Sequence, residues 1–374
     1  MSSMGIRASR QKNERDGSDA GGVNGRRPDP SARLAMIWTL AGPALLVYLG
    51  TVVASQIGGP VAVQGAYALV SLVTAVGLQI FTGTSGVLSF GHIAFMAVGA
   101  WAYGLLTIDP TLKKALLPDL FSFLADVHAP WPVALAVATM VGGLLALVVA
   151  PFLMRLNGLQ AGIATFGLLM VVGQVLTYWS SIGPRSGQAM VGVPADLPLD
   201  RLVLVAIGVI AVSWLYQHTK TARLLRATRE DLTAAPGSGI NVTNHRIIAF
   251  AISGAVCGLG GGLWAVTNRV VQSSNFGVGM TFTIIAILVL GGTRSLWGAV
   301  LGTLVWSALD ALLVYLQGGV TVGDYVVSLP EGARPIVLGA TLVAALMIRP
   351  EGLTGGRELT WPFQPRRPPA TGRP

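Results

Sequence analysis

The chain is short of charge. Of its 374 residues only 11% are Asp, Glu, Lys or Arg, against roughly a quarter in a soluble domain. It has one cysteine, Cys257, inside an apolar run, so no intrachain disulfide and no cysteine metal cluster can form. The four histidines, His92, His128, His218 and His245, are scattered, there is no Walker sequence, and no apolar run holds a pair of carboxylates. No catalytic or metal-ligating set can be assembled from these residues, and any ATP-driven step is left to another polypeptide. The chain is expected not to be an enzyme. A signal peptide is not expected either: residues 1–33 are polar throughout and the first apolar run exceeds signal-peptide length, so the first span should insert the protein itself.

What is abundant is apolar. Hydrophobic residues make up 52% of the chain and the mean hydropathy is +0.65. A bilayer core of about 30 Å needs roughly 20 apolar residues in a helix. Candidate spans lie near 34–57, 61–80, 92–108, 131–154, 159–180, 201–216, 247–268, 280–292, 297–316 and 333–348. The expectation is an all-α polytopic membrane protein of about ten helices, with a range of eight to eleven because several runs are short.

The formal charge of +9 is concentrated in two tails and one internal segment. Basic residues accumulate on the cytoplasmic side of short loops. With the N-terminus inside, an even number of spans puts the C-terminus inside, and segment 217–246 after the sixth span as well. Those three segments hold 17 of the 25 basic residues. Charge and span count therefore agree, and the basic residues report topology rather than a nucleic-acid surface. The tails, 1–33 and 349–374, are rich in Gly, Pro, Ser and Arg without hydrophobic period, and disorder is expected of both. Residues 34–348 form the transmembrane domain.

Three features could carry function. Ala222 to Ala235 reads as an amphipathic cytoplasmic helix: Leu224, Thr228 and Leu232 recur every four residues, Arg223, Arg226 and Arg229 lie elsewhere, and Pro236 and Gly237 end it. It is either a solvated surface helix or a docking element whose Ala234 and Ala235 admit a partner. Second, Gly83-Thr-Ser-Gly-Val-Leu-Ser-Phe-Gly91 runs into His92 and an apolar helix. A broken helix there would free backbone groups for a solute; close helix packing through small residues is the alternative. Third, Leu290-Gly-Gly-Thr-Arg-Ser-Leu-Trp-Gly-Ala-Val-Leu-Gly302 repeats the pattern, as in a repeat-built core with its pathway between the halves. Asp310 lies within the ninth span and could pair with a neighbour, face a polar cavity or sit near the outer interface. Gln79, Gln174 and Asn268 suit interhelical hydrogen bonds.

Four segments in order resemble the permease subunits of LIV-type (leucine, isoleucine, valine) ABC importers, in particular the M-type partner. They are Gly83 to His92 continuing through Ala94-Phe95 to Gly99-Ala100; Arg155-Leu-Asn-Gly158 with Thr165, then Ile182-Gly183 to Gly192-Val-Pro194; Leu225-Arg-Ala-Thr-Arg-Glu-Asp231 with Ala234-Ala235 and Gly239-Ile-Asn-Val242; and Arg349-Pro-Glu-Gly-Leu-Thr-Gly355. Met170 stands where family members often carry a carboxylate, and Pro236-Gly-Ser238 interrupts the loop pattern.

The resemblance implies import of branched-chain amino acids or a related small polar solute across the bacterial inner membrane. Urea, short-chain amide and ribose-type sugar importers remain open, as does a self-sufficient secondary transporter or channel. It also implies partners: a second homologous permease, two ABC ATPase subunits that bind ATP and Mg, and a periplasmic or lipid-anchored binding protein. No cofactor is expected on this chain. ATPase coupling falls to Arg226, Arg229, Glu230, Asp231, Ala234, Ala235 and Gly239. The translocation pathway falls to Gly83, Thr84, Ser85, Gly86, Ser89, Gly91, His92, Thr165, Gly291, Gly292 and Thr293.

Overall fold

The structure is a computed structural model that describes residues 30–184, 188–230, 241–322, 325–327, 330 and 332–359. The chain divides into two compact units. Trp38–Thr360 is the larger, and of the other the described residues are the first turns of α1.

Every apolar run of the sequence folds as helix. The long helices are α1 (Pro30–Ile57), α2 (Gly59–Ser85), α3 (His92–Thr107), α6 (Trp131–Leu153), α7 (Gly158–Tyr178), α8 (Leu199–Gln217), α10 (Val242–Asn268), α11 (Val278–Gly291), α12 (Leu296–Gln317) and α13 (Ala333–Ile348). Short helices α4 (Pro110–Leu116) and α5 (Ser122–Ala125) follow α3, and α9 (Lys220–Glu230) follows α8. Seven of these helices are long and apolar enough to cross a membrane, and α3 with α4, bent by 120°, is an eighth candidate. The shorter apolar helices α11 and α13 have 14 and 16 residues. The all-α polytopic class is thus observed, with seven to eight spans by length and composition where the sequence reading counted ten. A 3-10 turn at Ser273–Phe276 and two small antiparallel pairs, Met190–Val191 with Val270–Val271 and Val320–Val322 with Tyr325–Val327, complete the described elements.

Helix α10 is the centre. Lipid is as apolar as a leucine side chain, so membrane helices are held by close packing and interhelical hydrogen bonds instead of by water exclusion. The glycines of α10 provide that closeness: a Cβ on Gly261 would stand 1.9 Å from the carbonyl of Met96 on α3, and one on Gly258 2.5 Å from that of Ala138 on α6. Ser253 donates to the Gly77 carbonyl of α2 at 2.6 Å, and Ser213 of α8 donates to Gln79 at 3.2 Å. Gln79 and Asn268 therefore make the interhelical bonds expected of them, whereas Gln174 is exposed on α7. The outward rows, such as Met140, Leu144, Leu147 and Val148 of α6, are exposed and apolar and suit acyl chains.

Two sequence expectations change. The buried stripe of α9 is Ala222, Leu225 and Thr228, while Leu224 is turned outward. The three-residue spacing wins because it places a small residue, a leucine and a hydroxyl against the bundle; Leu232 lies outside the described residues. The order also continues past 348: residues 349–359 fold back as a turn-rich strap over the end of α11. The Leu353 and Thr354 amides donate to the Leu290 and Gly291 carbonyls at 2.9 and 3.1 Å, giving partners to carbonyls that a helix end leaves free. The remaining tail residues, 1–29 and 360–374, lie outside the described residues.

Candidate functional site

The first glycine break forms because α2 cannot continue past Gly86, whose φ of +71° is the left-handed region that favours glycine. Its amide closes the helix on the Thr82 carbonyl at 3.0 Å, and a non-helical segment leads to His92 at the start of α3. The hydroxyl residues satisfy this connection from within. Ser85 Oγ donates to the Phe81 carbonyl at 2.7 Å and accepts from the Val87 amide at 3.2 Å; Thr84 donates to the Ile80 carbonyl at 2.6 Å. Ser89 Oγ lies 2.8 Å from His92 Nδ1, and the imidazole is enclosed by Phe81, Phe95 and Phe250. From α7, Thr165 Oγ1 accepts from the Phe90 amide at 3.1 Å, and its carbonyl would stand 2.5 Å from a Cβ on Gly91.

The second break mirrors it. Gly292 ends α11 with φ of +116°, and Ser295 caps α12 by accepting from the Gly298 amide at 2.8 Å. The two breaks meet: a Cβ on Gly83 would stand 2.7 Å from the Thr293 carbonyl. On the first break also lies α9. Arg229 donates to the Gly83 carbonyl at 3.0 Å, and its stem would be 2.6 Å from a Cβ on Gly86. Arg229, expected from the sequence to serve coupling, is thus brought onto the first break beside Gly83 and Gly86, with Gly91 against Thr165 and Gly83 against Thr293; of the residues expected along a pathway, Thr84, Ser85, Ser89 and His92 lie in the first break and Gly291 and Gly292 in the second. Arg226, one turn earlier on α9, donates to the Gln217 carbonyl. Glu230 closes α9, and Asp231, Ala234, Ala235 and Gly239 lie outside the described residues.

This junction does not line the polar cavity of the bundle. That cavity, about 590 Å³, lies at the other ends of α2, α10 and α12 and is lined by Gln64, Tyr67, Ser71, Asn268, Asp310 and Arg334, among others, with walls from Trp264 and Trp306. Arg334, in the first turn of α13, grips Asp310 through Nε to Oδ1 at 2.6 Å and Nη2 to Oδ2 at 2.5 Å. Tyr67 donates to Asn268 Oδ1 at 3.0 Å. Two of the readings left open for Asp310 hold together: it pairs with a neighbour and it faces a polar cavity. On α2, Tyr67 and Gly83 are 16 residues apart, about 24 Å at 1.5 Å per residue. Sequence reasoning missed Arg334 because it sits at the start of an apolar run, and Tyr67 because one tyrosine in a span carries no signal.

A family model described as branched-chain amino acid transport system / permease component matches residues 61–346. The chain is 28% identical over 244 residues to the autoinducer 2 import system permease protein LsrC of Escherichia coli (strain K12 / DH10B), covering 61% of this chain and 66% of that protein. It is 28% identical over 192 residues to the protein of the same description from Yersinia pseudotuberculosis serotype O:1b (strain IP 31758), covering 47% and 52%. The chain therefore spans between about half and two thirds of the length of these relatives. No solved structure matches it.

Proposed function

Because this chain belongs to the branched-chain amino acid transport permease family, we propose that it is the membrane-spanning permease subunit of an ABC importer for a small polar solute. The observation that carries the reading is that one helix, α2, has its two ends in different business: Gly83 and Gly86 are held by Arg229 of α9, and Tyr67 lines the cavity. Movement imposed on α9 at one end of α2 reaches the cavity at the other. The packed glycine junction serves as a rigid coupling, because its backbone contacts leave little room for the two breaks to move apart.

In this reading α9 faces the cytoplasm and an ATPase subunit, which binds ATP and Mg. A second homologous permease completes the pathway, a binding protein delivers the solute from the other side, and the bilayer is the bacterial inner membrane. Uptake is then bounded by ATP turnover on the partner, with no chemical step on this chain.

The cavity lining bears on the solute. Asp310, Arg334, Asn268, Gln64, Ser71 and Tyr67 supply donors and acceptors on several walls, and Trp264 and Trp306 offer flat apolar faces. Donors and acceptors spread over several walls, with flat aromatic faces between them, suit a small solute that carries several hydroxyl groups. The relatives named as autoinducer 2 import permeases support the same direction.

The test is copurification of the chain expressed with its genomic neighbours, followed by ATPase and uptake assays with the binding protein loaded with ribose, leucine or urea. Recovery of an ATPase and a second permease, with stimulation by the sugar, is the expected result. A chain that purifies alone and transports in liposomes without ATP would give the function to a self-sufficient carrier. Stimulation by leucine alone would return the solute to the branched-chain class.

A further inference from the structure

The strap 349–359 ends on an arrangement that the importer reading does not use. The carboxylate of Glu358 accepts from the backbone amides of Leu296 at 2.7 Å and Trp297 at 3.2 Å, the first two residues of α12. Those amides have no partner within the helix, and a negative charge there also opposes the positive end of the helix dipole. The third amide, of Gly298, is already taken by Ser295. The start of α12 is thus closed by one local residue and one that arrives from 62 residues further along the chain.

On its other side Glu358 faces α9. A cavity of about 210 Å³ is lined by Glu358, Leu296, Arg226, Arg223, His218, Gln217, Trp214 and Thr39. Arg226 is fixed at its far end by the bond to the Gln217 carbonyl. The Arg226 and Glu358 charges attract each other across this space. A local serine or aspartate would cap α12 without burying a carboxylate brought from a distant segment. What a local cap could not supply is a charge that looks toward α9.

We propose that Glu358 is a positioning residue through which the coupling helix holds α12, so that movement of Arg226 on α9 is passed to the helix that carries Asp310. Arg229 to Gly83 moves α2, and Arg226 to Glu358 moves α12. The two levers end in the lining of one cavity, at Tyr67 and Asp310. The inference rests on the importer reading for its consequence in transport, but the link itself is a property of this chain.

Two measurements test it. In the purified chain, amide hydrogen exchange at Leu296 and Trp297 should rise at least tenfold in Arg226→Gln, which leaves Glu358 in place; unchanged exchange there would overturn the link. In the reconstituted complex, Glu358→Gln should lower solute taken up per ATP hydrolysed at least fivefold while detergent melting moves little, and the double variant with Arg226→Gln should lose no more than either single one. Additive losses, or uptake and ATP hydrolysis falling together, would reduce Glu358 to a structural cap and overturn the proposal. If the wild-type chain shows no ATP-linked uptake, the importer reading fails while the exchange measurement still decides the link.

Discussion

Gly83 of α2 faces the carbonyl oxygen of Thr293 so closely that a single added methyl would lie 2.7 Å from it, and 2.9 Å from Gln79 Nε2. The atom in the way on one side is backbone. Neither break can move without the other, which makes the junction of the two halves a rigid contact.

Gly83→Ala should therefore overpack this contact, at about 1–3 kcal/mol, and Gly83→Leu should stop uptake altogether. Detergent melting and uptake on the same preparations would check this. A fully active Gly83→Leu protein would show that the junction is loose.

Arg229→Ala removes both the bond to the Gly83 carbonyl and the stem over Gly86. Uptake per ATP hydrolysed should fall at least fivefold. Arg229→Lys should recover part of it, because lysine keeps an apolar stem and one donor but not the planar fork. The check is the ratio of the two rates in proteoliposomes, and equal ratios in wild type and Arg229→Ala would refute the lever.

Asp310 and Arg334 line the cavity as a bidentate pair of which Asp310 is largely covered and Arg334 partly open. Replacing either alone should cost stability between the about 0–1 kcal/mol of exposed pairs and the about 3–5 kcal/mol of fully buried ones. The exchange Asp310→Arg with Arg334→Asp should restore melting without restoring uptake. Restored uptake would mean that the pair only anchors α13.

Membrane glycines should separate by what surrounds them. Gly261→Ala places a methyl 1.9 Å from the Met96 carbonyl and should prevent α3 from seating on α10. Gly208→Ala on α8 meets nothing within 4 Å and should be neutral or gain up to about 1 kcal/mol from helix propensity. Thermal melting of the two variants side by side would distinguish them.

Burial raises the Glu358 carboxyl above its ordinary value of 4.5, against the pull of the two amides, Arg226 and His218. The folded state therefore holds the proton more tightly than the unfolded chain. The stability this contributes is complete below pH 4.5 and is lost as pH rises through the folded value. The melting temperature of wild type relative to Glu358→Gln should fall over that window and then level off; a relative melting temperature that rises with pH would contradict the shift.

The helical class and the two breaks were legible because composition, hydrophobic run length and punctuation by glycine are local properties. The resemblance in four ordered segments extended that to the family that residues 61–346 match. Within the candidate site, Thr165 and Arg229 were marked, but as members of separate sets. Their shared place at the first break depends on how α7 and α9 cross α2, which no local pattern encodes. On α9 a four-residue spacing groups Leu224 with Thr228 as well as a three-residue one groups Leu225 with it, and only the bundle selects Leu225.

What the sequence by itself determined is that this is a helical membrane protein, since run lengths are readable residue by residue. What only the tertiary structure decided is the spatial arrangement: a packed junction at the glycines, a polar cavity about 24 Å away on the same helix, and a strap ending in Glu358 in what reads as a tail. Those depend on contacts between residues 24 to more than 200 positions apart, such as Asp310 with Arg334 and Tyr67 with Asn268. Sequence order carries no record of such distances in space.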